Sequence, residues 1–383
     1  MTFLPKDKYF ECMTVRRIWS TIILNSKHIW NPLALNVKQF NLTQLKDVLE
    51  RFCGIHLRKC RFESCKERQT EEIFVHLAGS LSTAIKSLEF VGCTLAEKKL
   101  NFSKLKLLWD VCLVSLSLEN CNFSAGLIET FLSLSNLKRI SFKGSFVFPN
   151  IIPFNSIQDV IFESLDIPRN FFTNFKSIHK IEFIKVHILG PQLFDIESKT
   201  LSHLTLKDVE YTSNGVLFSD WLVTLLREGC LTHYYSSTIF DNEIQSISLF
   251  GSSLLSLTLP GERLTCIEVE EILEECRSLE SLNIPRLADR KAIASIHKLG
   301  KNLFEIDLSQ SNIDDSLLYP FKDLACLVKI HLNSTRISSS GILKLVKDSG
   351  RRWQHLSVEF CENLSFESIQ KLQFLVPRVD FRK

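Results

Sequence analysis

The sequence of 383 residues has little of what marks a flexible, secreted or membrane-spanning chain. Its 13 glycines and 10 prolines are too few for long linkers. No stretch approaches about 18 consecutive apolar residues, and Met1 to Phe10 lack a basic region followed by an apolar run. We therefore expect neither a membrane span nor a signal peptide, and we predict a cytoplasmic or nuclear protein that binds no membrane.

Motifs for catalysis and cofactor binding do not stand out either. Gly300-Lys301 lacks the upstream glycine and the following hydroxyl of a phosphate-binding loop, and no zinc-protease or serine-hydrolase motif occurs. Cys53, His56, Cys60 and Cys65 could suggest a metal cluster, but their spacing matches no standard zinc finger. We predict a protein with no catalytic residues, cofactor or metal, and an enzyme is the least favoured class.

The charge is nearly balanced, with 46 Lys and Arg against 43 Asp and Glu and a net charge of +3. No overall field would therefore attract nucleic acid or an anionic membrane. Two basic clusters, Arg58–Arg61 and Arg351-Arg352, are short. We interpret them as solvated surface, with anion or nucleic-acid contact as the alternative.

The twelve cysteines would suit a secreted disulfide framework, but their positions follow a repeated pattern instead. Several stand near the start or at the end of that pattern, where a small buried residue is expected: Cys60, Cys93, Cys112, Cys121, Cys230, Cys276, Cys326 and Cys361. We predict free, buried thiols in a reducing compartment.

The pattern is clearest in Cys112–Phe123, which reads C-L-x-x-L-x-L-x-x-C-x-F. Its L-x-L part alternates as in a half-buried strand, and the flanking apolar residues turn inward from the loops. Copies are predicted to open at Trp30, Phe52, Ile85, Leu113, Leu137, Ile157, Ile178, Leu201, Leu231, Leu254, Leu279, Leu303, Leu327 and Trp353. The mean step of about 25 residues is typical of a leucine-rich repeat, whose units must stack to bury their apolar edges.

The predicted fold class is therefore α/β, a leucine-rich-repeat solenoid with a curved parallel sheet and with helices and turns on the convex side. We assign residues 31–383 to about 13 to 14 repeats and residues 1–30 to a short helical segment. Val379–Phe381 is predicted as the last edge strand. Predicted helices include Asp241–Phe250, a stripe from Val269 to Cys276, a segment from Ser219-Asp220 to Gly229, and a segment from Ile342 to Gly350. The short units opening at residues 137, 157 and 178 are predicted to have turns or 3₁₀ pieces instead.

The concave face of this sheet is the predicted binding surface. Side chains that flank the second leucine of L-x-L point outward from the core, as in His56/Arg58, Ser117/Glu119, Ser141/Lys143, Glu182/Ile184, Thr205/Lys207, Asp307/Ser309, His331/Asn333 and Ser357/Glu359. Their mixed charges suit a protein segment better than a polyanion, although solvated strand surface is the alternative for each. The candidate target-binding residues are Glu119, Lys143, Glu182, Lys207, Asp307, His331, Asn333 and Glu359.

Cys276–Ile284 and Leu356–Leu364 resemble the start and end of the cysteine-containing repeat of F-box/leucine-rich-repeat proteins (FBXL type). Most other copies depart from that repeat in its last column. The N-terminus resembles a shortened F-box, with matches at Leu4, Pro5, Val15, Ile18, Trp19, Ile29 and Trp30. The interval from Pro5 to Trp19 is about ten residues shorter than in the family, and Arg16 replaces the usual cysteine. The helical stripe from Val15 to Ile22 either docks into a partner's groove or caps the first repeat.

This resemblance implies a substrate-recognition subunit of a cullin–RING (SCF-type) ubiquitin ligase, which serves ubiquitin-dependent protein degradation. The N-terminal matches would bind a Skp-family adaptor joined to a cullin, and the repeats would bind the target protein. The alternative is a non-catalytic leucine-rich scaffold or regulatory protein with no ligase role.

Overall fold

The computed structural model describes residues 33–37, 41–51, 58–79, 85–95, 109–110, 112–144, 146, 156–167, 177–188, 200–211, 216–240, 242–350 and 352–382. The predicted segment 1–30 and the turns predicted after residues 147, 168 and 189 lie outside these residues. Two compact units divide the chain: Met1–His179 with Phe183–Ser198, and Lys180–Glu182 with Lys199–Lys383. No helix among the described residues is long and apolar enough to cross a membrane.

Short strands dominate the chain up to residue 188. They are β1 (Leu33–Asn36), β2 (Lys59–Glu63), β3 (Ser87–Val91), β4 (Thr94–Leu95), β5 (Ser115–Glu119), β6 (Asn122–Phe123), β7 (Arg139–Lys143), β8 (Asp159–Glu163), β9 (Asp166–Ile167), β10 (Lys180–Ile184) and β11 (His187–Ile188). In the first unit β1, β2, β3, β5, β7 and β8 pair in parallel in chain order, while β4 pairs with β6 and β9 with β11. The described helices of this unit include α1 (Leu42–Arg51), α2 (Glu67–Gly79) and α3 (Ala125–Leu132).

Aromatic side chains fill the core of the first unit. In-register parallel pairing places equivalent residues above one another, so the ring of Phe162 stacks on the ring of Phe142 at 5.9 Å. From the helical side, Phe74 of α2 lies 5.2 Å from Phe90 and 5.1 Å from Trp109, measured between ring centroids. The helices therefore cover the face of the strands that carries the buried leucine and phenylalanine side chains.

The second unit repeats the same arrangement, with more helices among the described residues. Its strands are β12 (His203–Lys207), β13 (Glu210–Tyr211), β14 (His233–Ser236), β15 (Ser256–Thr258), β16 (Ser281–Asn283), β17 (Glu305–Asp307), β18 (Lys329–His331), β19 (His355–Ser357) and β20 (Arg378–Asp380). Its helices are α4 (Val216–Arg227), α5 (Glu243–Phe250), α6 (Cys266–Glu275), α7 (Arg290–Leu299), α8 (Asp315–Leu318), α9 (Ser339–Asp348) and α10 (Phe366–Leu375), with 3₁₀ turns at Gly251–Ser253, Gly261–Arg263 and Tyr319–Asp323. The strands β12 and β14 to β20 pair in parallel in chain order, and the predicted edge strand at the end of the chain is β20.

Local sequence explains where many of these helices begin. Thr265 forms a capping box with Glu268, in which the threonine oxygen accepts from the Glu268 amide and the glutamate oxygen accepts from the Thr265 amide. Asp289 and Ser338 cap α7 and α9 in the same way with a single side-chain acceptor. Each cap satisfies an amide group that has no partner within its helix.

A residue with positive φ follows the strands at the same place in the repeat. The first set comes directly after β2, β3, β5, β7, β8, β10 and β12: Ser64, Gly92, Asn120, Gly144, Ser164, Lys185 and Asp208. The later set comes three residues after β16 to β19: Arg286, Gln310, Ser334 and Phe360. Glycine, asparagine and aspartate tolerate this conformation best, so the chain turns at a position that it does not always fill with a favourable residue.

The second predicted copy has the wrong register. It places the strand at Ile55-x-Leu57, whereas β2 buries Cys60 and Phe62, which pair with Leu33 and Leu35 of β1. The outward pair of this repeat is therefore Arg61/Glu63, and of the predicted pair His56/Arg58 the first residue lies outside the described part of the chain. Two apolar pairs with the same spacing compete here, and pairing with the neighbouring strands decides between them.

The same shift corrects the cysteine column. Cys65, rather than Cys60, shares its repeat position with Cys93 and Cys121, whose thiols donate to the carbonyl oxygens of Phe62 and Phe90 at 3.5 and 3.3 Å. All three thiols are buried. Cys93 and Cys121 thus each link the loop after their own strand to the neighbouring strand of the preceding repeat.

Two further predictions are wrong. Helix α4 begins at Val216, so Ser219-Asp220 lie inside it rather than capping it. A capping preference of about 1 kcal/mol is small against the tertiary packing that stabilises most protein helices. Cys326 is exposed and Cys230 half-buried, because their loop position before a strand can face solvent.

Candidate interaction surface

The outward side chains of the first unit form a face that we call the first open face. Its members are half-buried and alternate with buried leucine and phenylalanine residues: Arg61, Glu63, Glu89, Val91, Ser117, Glu119, Ser141, Lys143, Ile161 and Glu163. Parallel register aligns these residues in rows across β2, β3, β5, β7 and β8. Side chains from five different repeats thus lie side by side.

Two cations of the first open face, Arg61 and Lys143, each lie close to two carboxylates. The guanidinium of Arg61 lies 2.7 Å from Glu63 Oε1 and 2.5 Å from Glu89 Oε1. The ammonium of Lys143 lies 3.7 Å from Glu119 Oε1 and 3.4 Å from Glu163 Oε1. Glu119 and Glu163 raise the pKa of Lys143 above its ordinary value, with Glu119 the larger cause. Each of the two cations is therefore shared by two carboxylates.

The second unit presents its own row, which we call the second open face: Thr205, Lys207, Tyr235, Thr258, Asn283, Glu305, Asp307, Lys329, His331, Asn333, His355, Glu359, Asp380 and Arg382. Here the polar groups are joined largely to one another. Glu305 pairs with Lys329 at 3.3 Å and with His331 at 3.4 Å. Asn333 Oδ1 accepts from the Ser357 hydroxyl at 2.8 Å and from the Glu359 amide at 2.7 Å.

The last strands continue this pairing. His355 Nε2 lies 2.7 Å from Asp380 Oδ2, and Arg378 lies 3.1 Å from the same oxygen. The hydrogen bond from Arg378, with a smaller contribution from His355, holds the pKa of Asp380 below its ordinary value. Arg382 lies 3.1 Å from Glu359 Oε1. The carboxylates of Asp380 and Glu359 are therefore both paired within this surface.

Six of the eight predicted target-binding residues lie at outward strand positions, whereas Asn333 and Glu359 lie two residues beyond the ends of β18 and β19. The structure brings only some of the eight together. Glu119 and Lys143 pair on the first open face, and Asn333 accepts from the Glu359 backbone on the second. Glu182 instead pairs with Lys180 of its own strand at 2.6 Å. Within the second unit, Lys207 on β12 and Asp307 on β17 are separated by several strands. Lys207 and Asp307 therefore do not belong to one pocket.

The sequence analysis did not predict four residues of the first open face: Arg61, Glu63, Glu89 and Val91. Arg61 and Glu63 were not predicted because the second copy was given the wrong register. Glu89 and Val91 could have been predicted by the rule that residues flanking the second apolar strand residue point outward, because the copy opening at Ile85 places them on either side of Phe90. The stacked rings of His203 and His233, 4.1 Å apart, depend on the pairing of β12 with β14.

The predicted adaptor-binding residues lie outside the described part of the chain: Leu4, Pro5, Val15, Ile18, Trp19, Ile29 and Trp30. Of the metal alternative, Cys53 and His56 lie outside it as well. Cys60 is buried in β2, and burial raises its pKa to about 12, which opposes the thiolate form that binds metals. Among the described residues, no group of three or more His, Cys, Asp and Glu side chains could hold a metal ion.

Comparison with known proteins bears on the fold. No protein family and no curated protein matches the sequence. The TLR13 chain in its complex with ssRNA13 superimposes with a TM-score of 0.54 at 13% identity, covering 86% of this chain and 46% of that one. The fold is a leucine-rich-repeat solenoid. This solenoid spans less than half the length of the TLR13 chain.

Two other solved structures match over nearly the whole solenoid. The Rad7 and Elc1 complex of yeast matches with a TM-score of 0.46 at 16% identity, covering 94% of each chain. A leucine-rich-repeat protein of Leptospira interrogans matches with a TM-score of 0.42 at 14% identity, covering 95% of this chain and 98% of that one. At these identities the likeness concerns the fold alone.

Proposed function

We propose that this chain is a non-catalytic interaction protein that binds a target protein through its open faces. The observation that carries the proposal is the one-sided arrangement of the strands. Helices and buried side chains cover one face, while the other carries rows of half-buried polar and charged groups. Repeat proteins use such extended surfaces for recognition, and mixed charges with hydroxyl groups suit a protein partner.

Within this role, we propose a substrate-recognition subunit of an SCF-type ubiquitin ligase that works in the cytoplasm or nucleus. Support comes from the resemblance of the N-terminal residues to an F-box, chiefly Trp19 and Ile29-Trp30. A Skp-family adaptor joined to a cullin would bind this segment. The ligase chemistry would belong to the other subunits, and the solenoid would hold the substrate.

Direct binding of the purified full chain to a Skp-family adaptor tests this proposal. We expect a stable complex in size-exclusion chromatography and calorimetry, and at least tenfold weaker binding for Trp19→Ala and Trp30→Ala, because buried tryptophans often dominate an interface. Trp353→Phe, which changes a buried tryptophan of the second unit, controls for general effects of tryptophan substitution. If the parent chain does not bind the adaptor, the ligase role is wrong.

A scaffold without ligase role is the second candidate. It is favoured by the short interval from Pro5 to Trp19 and by Arg16 in place of the family's cysteine. In that case the helix predicted from Val15 to Ile22 would only cover the first repeat. Deleting residues 1–29 would then lower the melting temperature, and no adaptor would bind either form of the protein.

A further inference from the structure

Two of the three outward rows of β2, β3, β5, β7 and β8, those that begin at Arg61 and at Glu63, together carry more negative than positive charge. Glu63, Glu89, Glu119 and Glu163 share only two cations, each of which is divided between two carboxylates. The exposed fraction of these four carboxylate side chains is 26–33%, so a partner can still reach them. These two rows therefore hold two more carboxylates than cations, while the third outward row, with Lys59, Arg139 and Asp159, holds one more cation than carboxylates.

The second open face differs in this respect. Glu305, Glu359 and Asp380 are each paired with a separate cation, which is Lys329, Arg382 or Arg378. Two of these carboxylates also contact a histidine. Asp307 instead accepts from the Ser309 amide. The first open face thus differs from these pairs in that each of its two cations is shared by two carboxylates.

The register places the excess charge around one apolar side chain. Val91 of β3 lies between Glu63 of β2 and Glu119 of β5, and Glu89 precedes it by two residues on the same face of β3. Neighbouring strands are about 4.8 Å apart and residues two apart on a strand about 7 Å, so all three carboxylates surround Val91. Ser117, beside Glu89, is small and leaves room above the sheet.

We propose that the first open face binds an extended segment of a protein partner that places an arginine or lysine side chain over Val91, between Glu89 and Glu119. The aliphatic stem of such a side chain packs on Val91, and its charged end reaches the two carboxylates. Glu89 contacts Arg61 on one side, and Glu119 contacts Lys143 on the other. The partner's arginine or lysine would therefore add a second cation to each of these two carboxylates. This inference rests on the proposed function, because it names the chemistry of the bound segment.

The charge pattern also argues against a polyanion on this face. In the rows that begin at Arg61 and at Glu63, phosphate groups would meet four carboxylates, while both cations, Arg61 and Lys143, are already paired with those carboxylates. Nucleic acid is therefore an outcome of the test rather than a second proposal.

Selection of random dodecapeptides by phage display against the immobilised full chain tests the inference. We expect the selected peptides to be enriched in arginine and lysine. A synthetic peptide from the selection should bind the Glu89→Gln/Glu119→Gln double variant roughly tenfold more weakly than the parent, because two charged contacts are lost. Its binding to the parent should also weaken as salt is raised.

Glu129→Gln is the matched control, since Glu129 is an exposed residue of α3 on the helical side. Its binding should equal that of the parent, and all variants should show the same thermal unfolding. Peptides without basic enrichment, or peptides whose binding is unchanged in the double variant, would overturn the inference while leaving peptide recognition by the solenoid intact. Failure to select any peptide, or tight binding of a single-stranded RNA oligonucleotide that the double variant strengthens, would overturn it as well. The adaptor experiment is independent of all these outcomes.

Discussion

Glu243 makes the stability of the second unit depend on pH. It is the first residue of α5, and its side chain is fully buried. Its Oε1 accepts from the Tyr234 hydroxyl at 2.8 Å, and its Oε2 accepts from the Phe240 amide at 2.7 Å. Burial raises the pKa of this carboxyl to about 8, although the two hydrogen bonds act in the opposite direction. The folded protein therefore holds the carboxyl neutral at moderate pH.

The sign of the effect follows from this raised pKa. The folded state binds the proton more tightly than the unfolded state, so the carboxyl contributes its full stabilisation below the unfolded pKa of about 4.5 and loses it as pH rises to about 8. The difference between these pKa values, at about 1.4 kcal/mol per pKa unit, corresponds to a loss of about 5 kcal/mol across that range. No further loss from this group is expected above pH 8.

Glu243→Gln should remove this dependence. The amide group imitates the protonated carboxyl: its oxygen accepts from the Phe240 amide, and its NH2 group donates to the Tyr234 oxygen, whose hydroxyl then turns from donor to acceptor at this contact. We expect the free energy of unfolding of the parent, measured with urea at pH 5, 6, 7 and 8.5, to fall by several kcal/mol relative to the variant. Glu274→Gln, at an exposed position on α6, is the control and should follow the parent.

Parallel pH profiles of the parent and Glu243→Gln would contradict this prediction. If the parent and Glu243→Gln show parallel pH profiles between pH 5 and 8.5, the carboxyl is ionised in the folded state throughout this range, as it is in the unfolded state. The argument that burial dominates its two hydrogen bonds would then be wrong. A general loss of stability in the variant at every pH would not produce this outcome, because only the slope is compared.

Three further changes test the repeat architecture by chemical denaturation. Gly92→Ala should cost about 1 kcal/mol, because φ is +61° and no atom lies near the added Cβ, whereas Gly92→Asn should be nearly neutral, since Asn120 fills the same turn. Phe142→Ala should cost about 3–5 kcal/mol by leaving a cavity beside Phe162, and a loss under 1 kcal/mol would contradict the stacked core. Thr265→Ala should cost about 1 kcal/mol through the lost capping box, while Thr265→Ser should retain most of the stability.

The repeat itself was predictable because each copy must alternate apolar and polar residues to form a strand with one buried face. Leu116 and Leu118 are buried, and Ser117 and Glu119 are outward, as the pattern indicates. The failure at Phe52 has the same origin. Ile55-x-Leu57 and Cys60-x-Phe62 satisfy the pattern equally well, so local sequence cannot choose between them.

Helix boundaries and the burial of single side chains were less predictable from the sequence. Ser219-Asp220 is a good start signal, yet α4 begins at Val216 because a local preference is weak against packing. Nothing adjacent to Glu243 in the sequence indicates that its side chain is buried. That fact depends on the fold around β14 and α5.

The amino-acid sequence determined the solenoid, because the spacing of apolar residues decides which units can bury their edges by stacking. It also determined which residues alternate outward once a strand is placed. Only the tertiary structure decided which outward residues are neighbours, since Arg61 and Glu89, or Glu119 and Lys143, are more than 20 residues apart and meet only through the parallel register. The shared cations around Val91 are therefore a product of strand pairing, which no single repeat contains.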